Sequence, residues 1–369
     1  MDRLFRTGNV MDESRLLSFK KSLIKKALLK QNRELDDEAV QTFKNIMSYM
    51  GDRKSSKPPI EHAKKMLRNL MIAPSGLRDE AYMQICKQTT ANPSHESAIK
   101  GWELMSFFLA TFPPSKNLQG FLKAHIQKAI DAEGPAANPR VRSLALLSKE
   151  RLPTILQLGQ RKQVPSTVEL QCLMESKPIP IKVLLVNGAF KTLSIDPYCL
   201  ISDVEKQMHE KLSVSYRTPF ALYEQGLINE ERILDPAERI LDVVASWENG
   251  PLVEEIKVDK PKEKPKIYEK APSAADSKSK LAEKKPIKFE SLLYKAKLVL
   301  KTSNPDLLAD PEAVNLIYLQ ATSDVVSERY PCAEKDITVL AALQLQATFG
   351  DYRKVSLRGG TAREGGKPA

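Results

Sequence analysis

Residues 181–195 read IKVLLVNGAFKTLSI, and this stretch decides the fold of the middle of the chain. Ile181, Val183 and Leu185 alternate with Lys182 and Leu184, the period of a strand. Asn187-Gly188 is the strongest short hairpin signal, and Phe190 to Ile195 returns as the partner strand. Downstream, Ser202-Asp203-Val204-Glu205 reads as a capping box opening a helix with Val204, Met208 and Leu212 on one face. Phe220 to Tyr223 suits a further strand. A hairpin, a helix and further strands within about 70 residues predict a small β-grasp, ubiquitin-like unit.

N-terminal to the hairpin the period is helical. From Asp36 to Met50, the residues Val40, Phe43, Met47 and Met50 recur at three and four, with Asp36 as the cap and Gly51 as the stop. Leu77, Ala81 and Ile85 mark a second helix that ends before Asn92-Pro93. Trp102 to Leu109 is apolar almost all round, which predicts a buried helix stopped by Pro113-Pro114. On the other side of the hairpin, Val258 to Lys288 is a Lys/Pro/Ala/Ser/Glu stretch with too few apolar residues to offset its ordering entropy. It reads as a solvated tether. Beyond it come a strand over Tyr294 to Leu300, a helix from Pro311 to Tyr330 capped by Asp310, a helix from Asp336 to Phe349, and a Gly-rich end expected to lack order.

The 369 residues suffice for two or three domains, and charge divides them. Residues 1–150 hold 25 Lys+Arg against 16 Asp+Glu, residues 178–248 hold 7 against 11, and residues 257–288 hold 11 against 5. The net charge of +11 favours acidic polymers or surfaces as partners. Cys86, Cys172, Cys199 and Cys332 never approach C-x-x-C spacing, so reduced thiols are expected rather than a disulfide framework or a zinc ribbon. No apolar stretch nears the roughly 20 residues of a bilayer span. The expected setting is the cytoplasm.

Catalytic signatures do not emerge. Gly360 and Gly365 have P-loop separation, but Gly366 stands where lysine must reach the phosphates. His62, His95, His125 and His209 sit in no local nucleophile–base signature, and Cys86 within a helix reads as a small core residue. Arg78, Asp79 and Glu80 form a helix start with charge pairing and backbone capping rather than an acid–base cluster. No catalytic, cofactor-binding or metal-ligating residue is expected.

Basic residues carry the functional reading. Lys20, Lys21, Lys25, Lys26, Lys30 and Arg33 crowd one predicted helix whose apolar side uses Leu16, Phe19, Leu23, Ala27 and Leu28. Neighbours at i and i+4, such as Lys21 with Lys25, repel each other, a cost that a polyanion would relieve. Lys64, Lys65 and Arg68 follow Arg53, Lys54 and Lys57 as a second group. A solvated surface and a binding face both fit this pattern. No aromatic interleaves with the lysines, so specific nucleic-acid readout is not expected. The lysine-rich tether could meet anionic membrane, although its prolines and acids dilute it.

Several phrases resemble known families. LLSFKKSLIKKALLK, AVQTFKNIMSYMGDR, LRDEAYMQICKQTTANPS, KGWELMSFFLATFPPSKNL and GQRKQVPSTVEL resemble the MyTH4 domain found in the tails of unconventional myosins (VII, X and XV type) and of a plant kinesin. IPIKVLLVNGAFKTLSID and FALYEQGLINEERILDPAERILDVVASWE resemble the first lobe of a FERM domain. The stretch from DPEAVNLIYLQ to QLQATFGDY resembles the start of the second, helical FERM lobe.

The resemblance implies an α+β multidomain chain. It divides into an all-α MyTH4 bundle at 12–176, a β-grasp first FERM lobe at 178–250, a flexible linker at 257–288, a partial all-α second lobe at 289–352 and a disordered tail at 353–369. The linker would separate the first and second lobes, and the missing third lobe suggests a fragment or truncated tail without its motor. The implied function is a non-catalytic motor-tail module associated with the cytoskeleton. Its expected partners are microtubules, through their acidic tubulin tails, and cargo or adaptor proteins. A membrane–cytoskeleton adaptor acting through the FERM portion is the alternative, and a cryptic enzyme ranks last. Lys20, Lys21, Lys25, Lys26, Lys30, Arg33, Lys64, Lys65 and Arg68 are the candidate microtubule-binding residues.

Overall fold

The computed structural model describes residues 17–29, 34–133, 138–226, 230–249, 289–297 and 304–351. The first part is a helical bundle of α1 (Asp36–Met50), α2 (Pro59–Ile72), α3 (Ser75–Thr89), α4 (His95–Thr111), α5 (Lys116–Ile130), α6 (Pro139–Leu158) and α7 (Thr167–Glu175). The organising element is α4. Ser94 caps it by accepting the Ser97 N–H at 3.2 Å, and every residue from Gly101 to Thr111 is buried. A helix apolar on all sides is stable only when neighbours cover it all round. Here α1, α2, α3, α6 and α7 do so. Gly101 shows how closely they approach, because a Cβ there would sit 2.6 Å from Thr89 Cγ2 and 3.0 Å from Met50 Cε. Tyr49 meets Phe107 and Tyr82 meets Phe108 edge-to-face, with centroids 5.8 and 5.4 Å apart. Their hydroxyls donate to Glu103 Oε2 (2.9 Å) and to the Phe112 carbonyl (2.7 Å), so neither phenol is buried unpaired.

The second part is a five-stranded sheet of β1 (Ile179–Leu185), β2 (Phe190–Ile195), β3 (Phe220–Gly226), β4 (Glu231–Ile233) and β5 (Phe289–Ala296), in the order β2-β1-β5-β3-β4. The β1–β2 hairpin forms as its sequence predicts, with Gly188 at φ +80° and the Leu185 N–H donating to Ala189 O at 2.8 Å. Helices α8 (Ile201–Leu212) and α9 (Ile240–Asn249) contribute Val204, Met208, Ile240 and Val243 to the core that Val183, Leu193, Leu222 and Leu292 supply from the strands.

Strand β5 overturns the expected division. It runs parallel to β1 (Val183 opposite Leu292) and antiparallel to β3 (Leu222 opposite Tyr294), in the middle of the sheet. The β-grasp unit therefore does not close at residue 250, and residues 289–296 belong to it rather than to a second helical lobe. Segment 257–288 lies outside the described residues, but in chain order it joins α9 to the central strand of one sheet instead of joining two lobes. The expected strand at 294–300 also begins five residues early, at Phe289. The tail expected at 353–369 lies outside the described residues as well.

Two caps differ from their sequence reading. Asp36 is the first helical residue rather than the cap, and its Oδ1 accepts the Ala27 N–H at 2.7 Å. The helix read as starting at Ser202 begins at Ile201, and Asp203 closes it by accepting the Leu200 N–H at 3.1 Å. Past β5 come α10 (Pro305–Leu308), α11 (Pro311–Val326) and α12 (Glu334–Phe349). Asp310 caps α11 through Oδ1 and ties it to the sheet unit through Oδ2, which accepts the Ser215 and Tyr216 N–H groups at 2.6 and 2.7 Å. Ala313 and Leu316 of α11 join the sheet core, whereas α12 has no buried residue and leaves Leu340 and Leu343 exposed.

His125 makes the bundle acid-sensitive. It stacks on Trp102 at 5.3 Å, and its Nε2 lies 3.0 Å from Thr89 Oγ1. Burial, helped by Lys128, lowers its pKa to about 4. The unfolded chain takes up this proton near the ordinary histidine value, so between these pH values the unfolded state binds the extra proton. The contribution is fully present at neutral pH and is lost as pH falls towards 4. We expect His125→Gln to flatten the acid limb of urea-melt stability between pH 6.5 and pH 4, by about 3 kcal/mol relative to wild type. Parallel pH profiles for the two proteins would refute the assignment.

Candidate polyanion-binding face

The lysine-rich N-terminal segment is not a helix. Residues 18–29 form a strap laid across α1 and α3, with Ile24, Ala27, Leu28 and Leu29 buried and Lys21, Lys25 and Lys26 exposed. Lys20 is half-buried. The strap's backbone donors find acceptors on the bundle. Leu28 and Leu29 N–H groups donate to the two oxygens of Glu80 at 2.7 and 2.9 Å. Phe19 N–H donates to Thr90 O at 2.9 Å, and Lys20 exchanges hydrogen bonds with the Gln88 amide at 3.1 and 3.2 Å. Lys87 Nζ donates to Ser18 O at 2.6 Å, and burial followed by the nearby charge of Lys20 lowers its pKa to about 8.

The expected i, i+4 repulsion therefore falls away for Lys21 and Lys25, since helical neighbours are absent. Side chains from other helices bind the backbone that a helix would have bound itself. Ile24 and the run Ala27 to Leu29 face the bundle, which leaves Lys21, Lys25 and Lys26 outward. Lys30 and Arg33 lie outside the described residues.

The second group sits on α2. Lys65 and Arg68 are exposed on the rim of a shallow cleft of about 350 Å³, lined also by Lys64, Asn69, Ile72, Val164 and Asn249. Lys64 serves a different purpose. Its ammonium is paired with Glu248 at the end of α9, and Glu248 also accepts the Thr167 N–H (3.0 Å) and hydroxyl (2.7 Å). Burial opposes ionisation of Glu248, but Lys64 and Thr167 outweigh it and hold the carboxyl below its ordinary value. Lys64 is thus a bridge between bundle and sheet rather than a free cation.

The Arg78-Asp79-Glu80 phrase caps backbone, as read, Arg78 locally and the two acids over long range. Arg78 Nη1 donates to Ala73 O at 2.8 Å, Asp79 accepts the Ser115 N–H at 2.9 Å, and Glu80 holds the strap. Cys86 is buried, and burial pushes its thiol far above the ordinary range, which disfavours the nucleophilic thiolate. Ser55 Oγ lies 2.7 Å from His62 Nε2 on the surface, with no orienting carboxylate on the ring among the described residues. That arrangement lacks the third group a nucleophile–base pair needs.

Sequence reasoning missed a buried ionic junction. Arg161 Nε donates to Asp242 Oδ1 at 2.9 Å while Nη1 pairs with Glu169. Asp242 also accepts the Lys162 and Gln163 N–H groups at 3.0 and 3.1 Å. Burial works against the Arg161 charge, yet the two carboxylates prevail and raise its pKa. The GQRKQVPSTVEL phrase contains Arg161 and Glu169, but their partner lies 81 residues from the arginine, in α9.

Three family models match the chain in succession. They are the MyTH4 domain over residues 64–172, an RA-like domain over 177–280 and the FERM central domain over 303–362. The chain is similar to the kinesin-like protein KIN-14I of Oryza sativa subsp. japonica, at 26% identity over 91% of this chain and 25% of that protein. It is similar to myosin-VIIa of Drosophila melanogaster at 28% identity, over 73% of this chain and 11% of the myosin. The chain thus spans a quarter or less of these relatives. Among solved structures, the human myosin 7b C-terminal MyTH4-FERM domain in complex with the harmonin-a PDZ3 domain matches with TM-score 0.68 and 22% identity, over 95% of this chain and 64% of that one. At that identity the likeness is one of fold.

The strap geometry makes Glu80 its anchor. We expect Glu80→Gln, which keeps the shape but offers an N–H to an N–H, to lower stability by about 2 kcal/mol. Tryptic cleavage at Lys21, Lys25 or Lys26 should speed up at least tenfold, with helical circular dichroism retained. Unchanged cleavage would contradict the anchoring role.

Proposed function

We propose that this chain, which carries MyTH4 and FERM domains and is homologous to the tails of unconventional myosins and of MyTH4-FERM kinesins, binds microtubules through the basic surfaces of its bundle. MyTH4-FERM tails are non-catalytic interaction modules, and the motor regions of the relatives are not covered by this chain. The observation that carries the reading is the strap. Its backbone is fixed to the bundle while Lys21, Lys25 and Lys26 project into solvent.

Lysines on an anchored strap lose little further backbone freedom on binding, which favours contact with a polyanion. Tubulin's acidic tails supply such a polymer, and the homology to cytoskeletal motors supports that choice. Lys65 and Arg68 on α2 extend the same charge to a second surface. Cytoskeletal association of the whole protein follows from the same reading. A second reading, capture of an adaptor or cargo protein, is supported by the myosin 7b domain's fold likeness and its harmonin partner.

Co-sedimentation with microtubules at low and physiological salt tests the first reading. Exposed charges are screened over about 8 Å at physiological ionic strength, so binding should weaken with salt. Lys21→Glu/Lys25→Glu should lower the bound fraction several-fold, and Lys65→Glu/Arg68→Glu should lower it less. Lys64 is left intact because changing it would disturb the junction with Glu248. Folded double variants that pellet as wild type does would leave the lysines as solvated surface and favour the adaptor reading.

A further inference from the structure

Strand β2 is the outer strand of the sheet among the described residues, and its free edge has an unusual setting. The Leu185 N–H bond to Ala189 fixes which residues face β1. In an antiparallel pair, bonded and non-bonded residues alternate, so Lys191, Leu193 and Ile195 bond inward while Phe190, Thr192 and Ser194 turn their N–H and C=O groups outward. Pro180 stands opposite Ser194, a position where no N–H is required, and agrees with this assignment.

Three lysines flank that edge on both faces. Lys182 lies on the open face, with Nζ 4.0 Å above the ring of Phe190, which is itself 53% exposed. Lys191 and Lys211 lie on the helix side, and Lys211 Nζ donates to the outward carbonyl of Thr192 at 2.7 Å. Within residues 178–248 the lysines are Lys182, Lys191, Lys206 and Lys211, all on the hairpin or α8, in a unit with 7 basic residues against 11 acidic ones. At its far end the edge runs into a cleft of about 580 Å³ between β2 and α6, with Leu146, Leu147, Ile195 and Pro197 among its lining, Lys177 and Arg151 beside them, and Glu150 and Asp196 as its acids.

We propose that the β2 edge receives an extended acidic segment of a partner protein as a sixth strand. The segment's carboxylates would meet Lys182, Lys191 and Lys211, and an apolar residue would enter the cleft beside α6. Lysines on an edge guard it against neutral strands, and a segment bearing carboxylates removes that barrier. A second copy of this chain is disfavoured because edge-to-edge pairing would set these lysines against their own images. The proposal shares no residue with the basic faces of the bundle, so the two stand or fall separately.

The test uses the full chain and a blocked decapeptide of three Glu-Glu-Val repeats ending in Leu, which sets carboxylates on both faces of a strand, with the matching Lys-Lys-Val peptide as control. Titration should show binding of the acidic peptide only, weakening with salt. Amide hydrogen exchange should slow at Phe190, Thr192 and Ser194. Thr192→Pro removes one outward N–H without touching a bond to β1 and should weaken binding at least tenfold, with the melting temperature and microtubule pelleting unchanged. Lys182→Glu/Lys191→Glu should do the same and settles the matter if the proline variant fails to fold. Absence of slowing at those three amides, or equal binding by a folded variant, would overturn the proposal.

Discussion

The buried guanidinium of Arg161 is the constraint on which the architecture rests. An arginine does not shed its charge when desolvated, and an unpaired ion in the interior costs several kcal/mol. Its charge is tolerable only where Glu169 of α7 and Asp242 of α9 lie on either side. Burial also pushes the Glu169 carboxyl upward, and the adjacent guanidinium is the main group that pulls against it. Because one carboxylate comes from the bundle and the other from the sheet unit, neither unit can satisfy Arg161 alone. Around this pair, Arg239 donates to Gly159 O at 2.8 Å, Asn249 to Val164 O at 2.8 Å, and Tyr198 to Leu109 O at 3.0 Å. The junction sets the angle between bundle and sheet, and with it the cleft between α6 and β2.

Much of the fold was legible because its cues are local. The Asn187-Gly188 turn, the all-apolar run of α4 and the Gly51 stop, with φ +84°, each depend on neighbours within a few residues. What could not be read depends on distant partners. The strap looks like an amphipathic helix until Glu80, Gln88 and Asp36 are brought to its backbone. Phe289 to Ala296 reads as a strand, but nothing local says that it inserts between β1 and β3. A buried central strand lacks the alternation that would reveal its faces, and its partners lie 63 or more residues away in the chain.

The candidate site was half legible for the same reason. Lysine density along residues 20–26 marked a basic surface correctly as exposed at Lys21, Lys25 and Lys26. It could not reveal that Lys64 is held by Glu248, 184 residues away. Charge is sorted by unit: the bundle presents cations that suit a polyanion, and the acidic stretch 178–248 carries its lysines on the hairpin and α8. A rigid junction holds these surfaces at a fixed separation. One chain can then offer two different contacts at once.

The central claim is that Arg161 makes the bundle and sheet one cooperative unit. The chain's two tryptophans report on it separately, since Trp102 lies in the bundle core and Trp247 on α9 of the sheet unit. With 5-fluorotryptophan incorporated, the two fluorine resonances should disappear together through a urea titration of the wild type. In Asp242→Asn, which leaves Arg161 undercompensated, stability should fall by about 3 kcal/mol and the two transitions should separate. Separate transitions already in the wild type, or coincident and unshifted ones in the variant, would contradict the account.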